Sequence, residues 1–224
     1  MNLIKLILSV SISLFLQDLY TFEFEKNIPK SNPLQAESLN FYYPKSKTEN
    51  LRTDLMLTLK NLFKVKAFIE SGTHLAGTAL EASKVFDKVY TIELSKEYYK
   101  ISKTKLLSNP NTHIYLGDSG KILYQILPRI SGPILFYLDG HWSEQNTARG
   151  DSITPIMNEI HAIKTVVKPN AVILVDDVRL FQSSLYPEKI RGTCKDGYPS
   201  LKEITQAILE IDNGYQFCFY RMLC

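Results

Sequence analysis

From Ala67 onward the chain alternates between short apolar runs and longer segments with helical spacing. The runs fall at 67–71, 89–94, 112–117, 134–139, 171–177 and 215–223. They have strand length, and near-continuous apolar strands belong to a sheet covered on both faces. Helical segments lie between them near 76–85, 95–107, 119–129, 151–167 and 199–211. In the fourth, Ile156, Ile160 and Ile163 share one face; in the fifth, Leu201, Ile204, Ile208 and Ile211 do. Ser200 and Glu203, just after Pro199, spell a capping box at the start of the last helix. Upstream, Leu51, Leu55, Leu59, Leu62 and Phe63 predict one further amphipathic helix. The alternation predicts an α/β domain with a doubly wound, mostly parallel sheet of six or seven strands and helices on both faces. An exposed edge of that sheet invites a homodimer.

Residues 1–50 break the pattern. Lys5 precedes an uncharged run from Leu6 to Gln17, interrupted by Ser9, Ser11 and Ser13 and ended by Asp18. A spanning helix needs about 20 apolar residues, so the run is too short to cross a membrane. It has the length of a signal-peptide core, but Leu19-Tyr20-Thr21-Phe22 offers no small-x-small cleavage site. The reading is an N-terminal apolar helix packed on the domain or on a partner. Membrane contact or an uncleaved tether through residues 1–17, and secretion, are the alternatives. Pro29, Pro33 and Pro44 among polar residues make 26–50 a linker; Tyr42 and Tyr43 suit surface packing, with anchoring of the segment over a site as the alternative. The division is therefore 1–50, helix and linker, and 51–224, the sheet domain.

Composition narrows the function classes. A chain of 224 residues with 45% hydrophobic content fills one such domain. A formal net charge of +3, with scattered lysines, gives no footprint for nucleic acid. Cys194, Cys218 and Cys224 form no metal-binding pair and no disulfide framework, which suits reduced thiols in the cytoplasm.

The chemistry gathers at the strand ends. Phe68 to Gly77 reads as strand, Gly-containing turn and helix, and the next strand ends at Glu93: the opening βαβ unit of a Rossmann-like nucleotide-binding domain. Ligands in such sheets bind beyond the carboxyl ends of the strands. The first ends at Glu70 and Gly72, the second at Glu93 and the third at Asp118-Ser119. The fourth ends at Asp139-Gly140-His141-Trp142 and the fifth at Asp176-Asp177. Like charges repel in a partly enclosed cleft, so this row of acids suits a ligand with hydroxyls, an ammonium or a metal. Asp139, Asp176 and Asp177 are hard oxygen donors of the kind Mg²⁺ prefers. His141 beside them is the candidate general base, its imidazole titrating near neutrality. Glu70 and the missing Gly-x-Gly-x-Gly turn disfavour a pyrophosphate, and with it NAD. Plainer roles stand beside these. Asp118-Ser119 suits a helix cap, Asp177 a cap or a partner for Arg179, and Trp142 a core or lid residue. His113 and His161 suit the surface. Arg149, Gly150 and Asp151 border the acceptor region, and Arg179 is placed to meet an anionic acceptor.

Taken in order, these motifs resemble the class I S-adenosylmethionine-dependent methyltransferases, in a bacterial branch similar to metal-dependent O-methyltransferases. The resemblance covers roughly residues 65 to 212. It implies that Glu70, Gly72 and Thr73 line the methionine moiety, and that Gly77 lets the next helix approach. Glu93 would hold the ribose, with Asp118 and Ser119 bordering the adenine. Asp139 would sit near the sulfonium, with Asp139, Asp176 and Asp177 holding Mg²⁺. The implied reaction is O-methylation of a small-molecule or saccharide acceptor, with His141 and Asp139 catalytic. Other readings are a non-catalytic partner subunit on the same fold, and a metal-dependent hydroxylase-like relative. The acceptor site is expected in residues 20–50, 140–152 and 180–198, the last as a lid.

Overall fold

The computed structural model describes residues 5–10, 51, 53–142, 148–166, 171–177, 180–181 and 197–219. The linker 26–50, Arg179 and most of the expected lid lie outside them. The strands are β1 Lys5–Val10, β2 Ala67–Ser71, β3 Lys88–Glu93, β4 Thr112–Leu116, β5 Ile134–Leu138, β6 Ala171–Asp176 and β7 Tyr215–Phe219. The helices are α1 Thr53–Phe63, α2 Gly77–Val85, α3 Lys96–Lys105, α4 Ser119–Ile126, α5 Ile156–Val166 and, last, α6 Leu201–Leu209. The sheet order is β4-β3-β2-β5-β6-β1-β7, and every neighbouring pair is parallel. The contiguous five-stranded block from β4 to β6 carries the candidate site. Chain order reverses at β2, which pairs with β3 on one side and β5 on the other. The crevice at the carboxyl ends of β2 and β5 is therefore the topological switch point.

Period-two alternation sorts the core into two layers. Phe68, Val89, Leu135, Tyr137, Val172 and Leu174 pack with α1 and α2. Ile69, Tyr90, Ile92, Phe136, Leu138, Ile173 and Val175 pack with α4, α5 and α6. Each fully buried large apolar side chain contributes about 1.5–3 kcal/mol. Helix ends follow local chemistry. Pro155 precedes α5, so that helix starts at Ile156 rather than at 151. The capping box forms at α6: Ser200 Oγ accepts from the Glu203 N–H at 3.2 Å, and Glu203 Oε2 accepts from the Ser200 N–H at 2.7 Å.

One expectation is corrected. Lys5–Val10 is a strand between β6 and β7, not a helix. A short, continuous apolar run carries no period that separates the two. The sheet decides, because β6 and β7 offer backbone partners on both edges. Among the described residues no helix is long and apolar enough to cross a membrane.

Candidate active site

The turn after β2 is the floor of the crevice. Gly72 has φ +84°, and a Cβ there would lie 2.4 Å from the Asp139 carbonyl oxygen. Backbone thus meets backbone where β2 and β5 end, and only glycine fits. The Gly72 and Thr73 N–H groups donate to the Ile92 carbonyl at 2.9 and 3.3 Å. His74 and Ala76 are both left-handed, with φ of 46° and 64°. Their neighbours hold them there. Thr73 Oγ1 lies 2.6 Å from Thr91 Oγ1, and Ser102 Oγ donates to the His74 carbonyl. The His74 ring packs edge-on against Tyr98, while its N–H donates to Glu93. His74 therefore acts on the site through its main chain. Gly77 opens α2 immediately afterwards.

Glu93 is the acid this turn is built around. Its Oε2 accepts from the His74 N–H and its Oε1 from the Ser95 N–H, both at 2.7 Å. Each oxygen keeps a second lone pair for a ligand hydroxyl. The turn N–H that a pyrophosphate would seek is already given to a carboxylate.

Glu70 does something else. Its side chain is buried against α2, and Oε2 accepts from Thr91 Oγ1 at 2.6 Å. Burial, with Asp139 and Glu93 nearby, raises its pKa to about 8 despite hydrogen bonds from Thr91 and Thr78. Where the resemblance put Glu70 beside a ligand ammonium, its carboxyl is instead buried and bonded to Thr91 within the fold. Its side chain points into the core on the Phe68 face of β2, and it is mostly uncharged near neutrality. Exclusion of pyrophosphate passes from Glu70 to Glu93. Thr73, equally buried, anchors the turn through Thr91.

At the end of β4, Asp118 begins α4 without capping it through its side chain. Asp118 Oδ1 is buried with no hydrogen-bond partner among the described residues. An unsatisfied buried acceptor costs about 1–3 kcal/mol until a donor arrives. Ser119, expected at the adenine, commits its hydroxyl to Glu159 Oε1 at 2.6 Å. Glu159 is only 1% exposed. Burial, with Asp118 and Asp139 adding to it, lifts its pKa to about 7 against hydrogen bonds from Ser119 and Ser71.

β5 and β6 bring Asp139, His141, Asp176 and Asp177 together, as the sequence suggested, but with different partners. His141 Nδ1 lies 3.2 Å from Asp139 Oδ1, and Nε2 lies 3.1 Å from Asp177 Oδ2. Burial opposes a charge on His141, but hydrogen bonds and attraction from the two carboxylates win, raising its pKa to about 10. The general-base role expected of His141 is therefore not supported: the ring is cationic at neutral pH and both nitrogens donate. The expected Asp139–Asp176–Asp177 metal centre is not formed either. Asp176 Oδ2 accepts from Tyr137 at 2.6 Å and Oδ1 from the Asp177 N–H at 2.7 Å. Among the described residues no group of three or more His, Cys, Asp or Glu is arranged to hold a metal ion. Burial, then Asp139 and Asp177, pushes Asp176 well above the usual carboxylate range. Asp139 is also raised, by burial first and against its bond with His141.

Residues 148–155, beyond β5, reach β3 and α4. Trp142 N–H donates to the Ile153 carbonyl at 2.8 Å, and the Arg149 guanidinium lies 5.1 Å from the Trp142 ring centroid. Asp151 pairs with Lys121 on α4 at 3.0 Å, and Gly150 abuts Leu94. The residues expected to border the acceptor thus lie across the ends of β3 and α4. Sequence reasoning missed Glu159, Tyr137, Ser71 and Thr91. Glu159 alone left a signal, as a carboxylate on the apolar stripe of Ile156, Ile160 and Ile163.

No protein-family model and no curated protein matches the chain. Solved structures do. The O-methyltransferase TomG from Streptomyces achromogenes, in complex with S-adenosylmethionine, is 15% identical with a TM-score of 0.49, over 69% of this chain and 66% of its own. The Podospora anserina methyltransferase PaMTH1, bound to S-adenosylhomocysteine, is 16% identical with a TM-score of 0.45, over 72% and 67%. A precorrin-6y C5,15-methyltransferase from Geobacter metallireducens is 13% identical with a TM-score of 0.41, over 72% and 68%. These structural neighbours are class I S-adenosylmethionine-dependent methyltransferases. At such identities the likeness concerns the fold, and the chemistry rests on the residues above.

Proposed function

We propose that the chain is an S-adenosylmethionine-dependent methyltransferase acting on an oxygen of a small molecule or saccharide. One observation carries the reading. Next to Glu93, whose oxygens are fixed by two loop N–H groups, the following strand end carries Asp118, whose Oδ1 has no hydrogen-bond partner among the described residues. A ribose diol and an adenine amine supply the matching donors. Glu93 takes the hydroxyls on its remaining lone pairs, and Asp118 takes the amine. The Gly72–Thr73 turn borders the methionine end, where the surrounding acids favour positive charge.

When bound, the donor supplies an electrophilic methyl group on a sulfonium. The acceptor oxygen would attack that methyl carbon in line, the carbon–sulfur bond breaking as the carbon–oxygen bond forms and the neutral thioether leaving with the electron pair. The acceptor proton passes to Asp139, whose raised pKa and partial exposure suit a carboxylate base better than the cationic His141 does. His141 orients Asp139 through Nδ1. The Mg²⁺ assistance expected from the sequence finds no open donor set, and no step runs through a metal. Calorimetric titration with S-adenosylmethionine tests the reading. Micromolar binding by wild type, lost in Glu93→Ala, is expected; no binding by folded wild type refutes it.

A further inference from the structure

Three carboxylates at adjacent strand ends are a donor set suited to a hard divalent cation, yet the folded chain fills the gap with one of its own side chains. The His141 ring stands between Asp139 Oδ1 and Asp177 Oδ2, at 3.2 and 3.1 Å. Asp176 is turned to other work, between the Tyr137 hydroxyl and the Asp177 N–H. Mg²⁺ needs near-octahedral oxygens at about 2.0–2.1 Å. An imidazole between two of the acids holds them a ring's width apart instead. Asp177 also holds a left-handed backbone conformation, φ 48°.

We propose that His141 closes this site to a metal: its ring occupies the place between Asp139 and Asp177 that a divalent cation would need, and the protein works without one. The site then differs from a metal-assisted one in what it demands of its acceptor. No Lewis acid lowers the acceptor's pKa, so a carboxylate must take the proton. The inference is separable from the methyl-transfer reading, because metal binding is measured with neither donor nor acceptor present.

The test is a Mn²⁺ titration of the full chain followed by electron paramagnetic resonance. Wild type is expected to leave Mn²⁺ free at millimolar concentration. His141→Ala, which removes the ring from between the two acids, is expected to bind it at least about tenfold more tightly. Adding Asp177→Asn should abolish that gain. Should His141→Ala fail to fold by circular dichroism, His141→Ser replaces it, keeping a hydrogen-bonding group without the ring. Binding by wild type that Asp139→Asn or Asp177→Asn weakens overturns the proposal, as does a folded His141 variant that gains no affinity. A failure of S-adenosylmethionine to bind would count against the proposed function and leave this inference intact.

Discussion

Glu159 offers a quantitative test of how the site is buried. Its carboxyl is 1% exposed on α5 and receives the Ser119 hydroxyl at 2.6 Å. The rise from 4.5 to about 7 is worth roughly 3 kcal/mol, at 1.36 kcal/mol per pKa unit. The sign follows from proton counting. Below 4.5 both folded and unfolded chains hold the proton, and the group costs nothing. As pH rises the unfolded chain releases it first, so stability falls through this window, and the full cost is reached above about 7. Glu159→Gln keeps a carbonyl acceptor for Ser119 and cannot ionise. Urea unfolding of both proteins at steps between about pH 4.5 and pH 8, extrapolated to zero denaturant, measures the difference. That difference should be near zero at the acid end and should favour the variant by about 2–3 kcal/mol at the alkaline end. Glu70 and His141 titrate in both proteins and cancel. A difference that does not change with pH would show that Glu159 is not the buried, proton-holding group described.

Two further substitutions probe the crevice. Gly72→Ala should destabilise by about 2–4 kcal/mol in urea, from a left-handed Cβ and an overlap with the Asp139 backbone; a loss below about 0.5 kcal/mol would mean the β2 and β5 ends are not in contact. Asp118→Ala should move two readouts in opposite directions. Thermal stability should hold or rise, because an unsatisfied oxygen is removed, while S-adenosylmethionine affinity falls about tenfold by calorimetry. Unchanged affinity would remove Asp118 from the adenine.

The strands and helices from Ala67 onward were legible because period and length agree there, and because Pro199 and Ser200 punctuate the last of them; Pro155, which starts α5 at Ile156 rather than at 151, was not read. So were the strand-end acids, since a parallel sheet brings every carboxyl end to one edge. What the sequence concealed was pairing. His141 meets Asp139 within the same loop, but Tyr137 reaches Asp176 across 39 positions and Ser119 reaches Glu159 across 40. Local spacing carries no record of such contacts. Charge states were hidden for the same reason. Glu70 and His141 looked like an open anion and a free base, and burial with particular partners reverses both. The N-terminal strand was illegible because a short apolar run satisfies two geometries, and only its neighbours in the sheet choose between them.

The left-handed turn after β2 has a consequence for how tightly anything can bind there. His74 and Ala76 hold conformations that side-chain-bearing residues avoid, at on the order of 1 kcal/mol each. The fold bears that strain before a ligand arrives, through Thr73, Thr91, Ser102 and Glu93. A molecule docking against the turn therefore meets a loop already in place and loses little entropy in ordering it. Ala76→Gly would ease the backbone and also widen the unbound ensemble. Folding stability and ligand residence time are thus set against each other at a single residue.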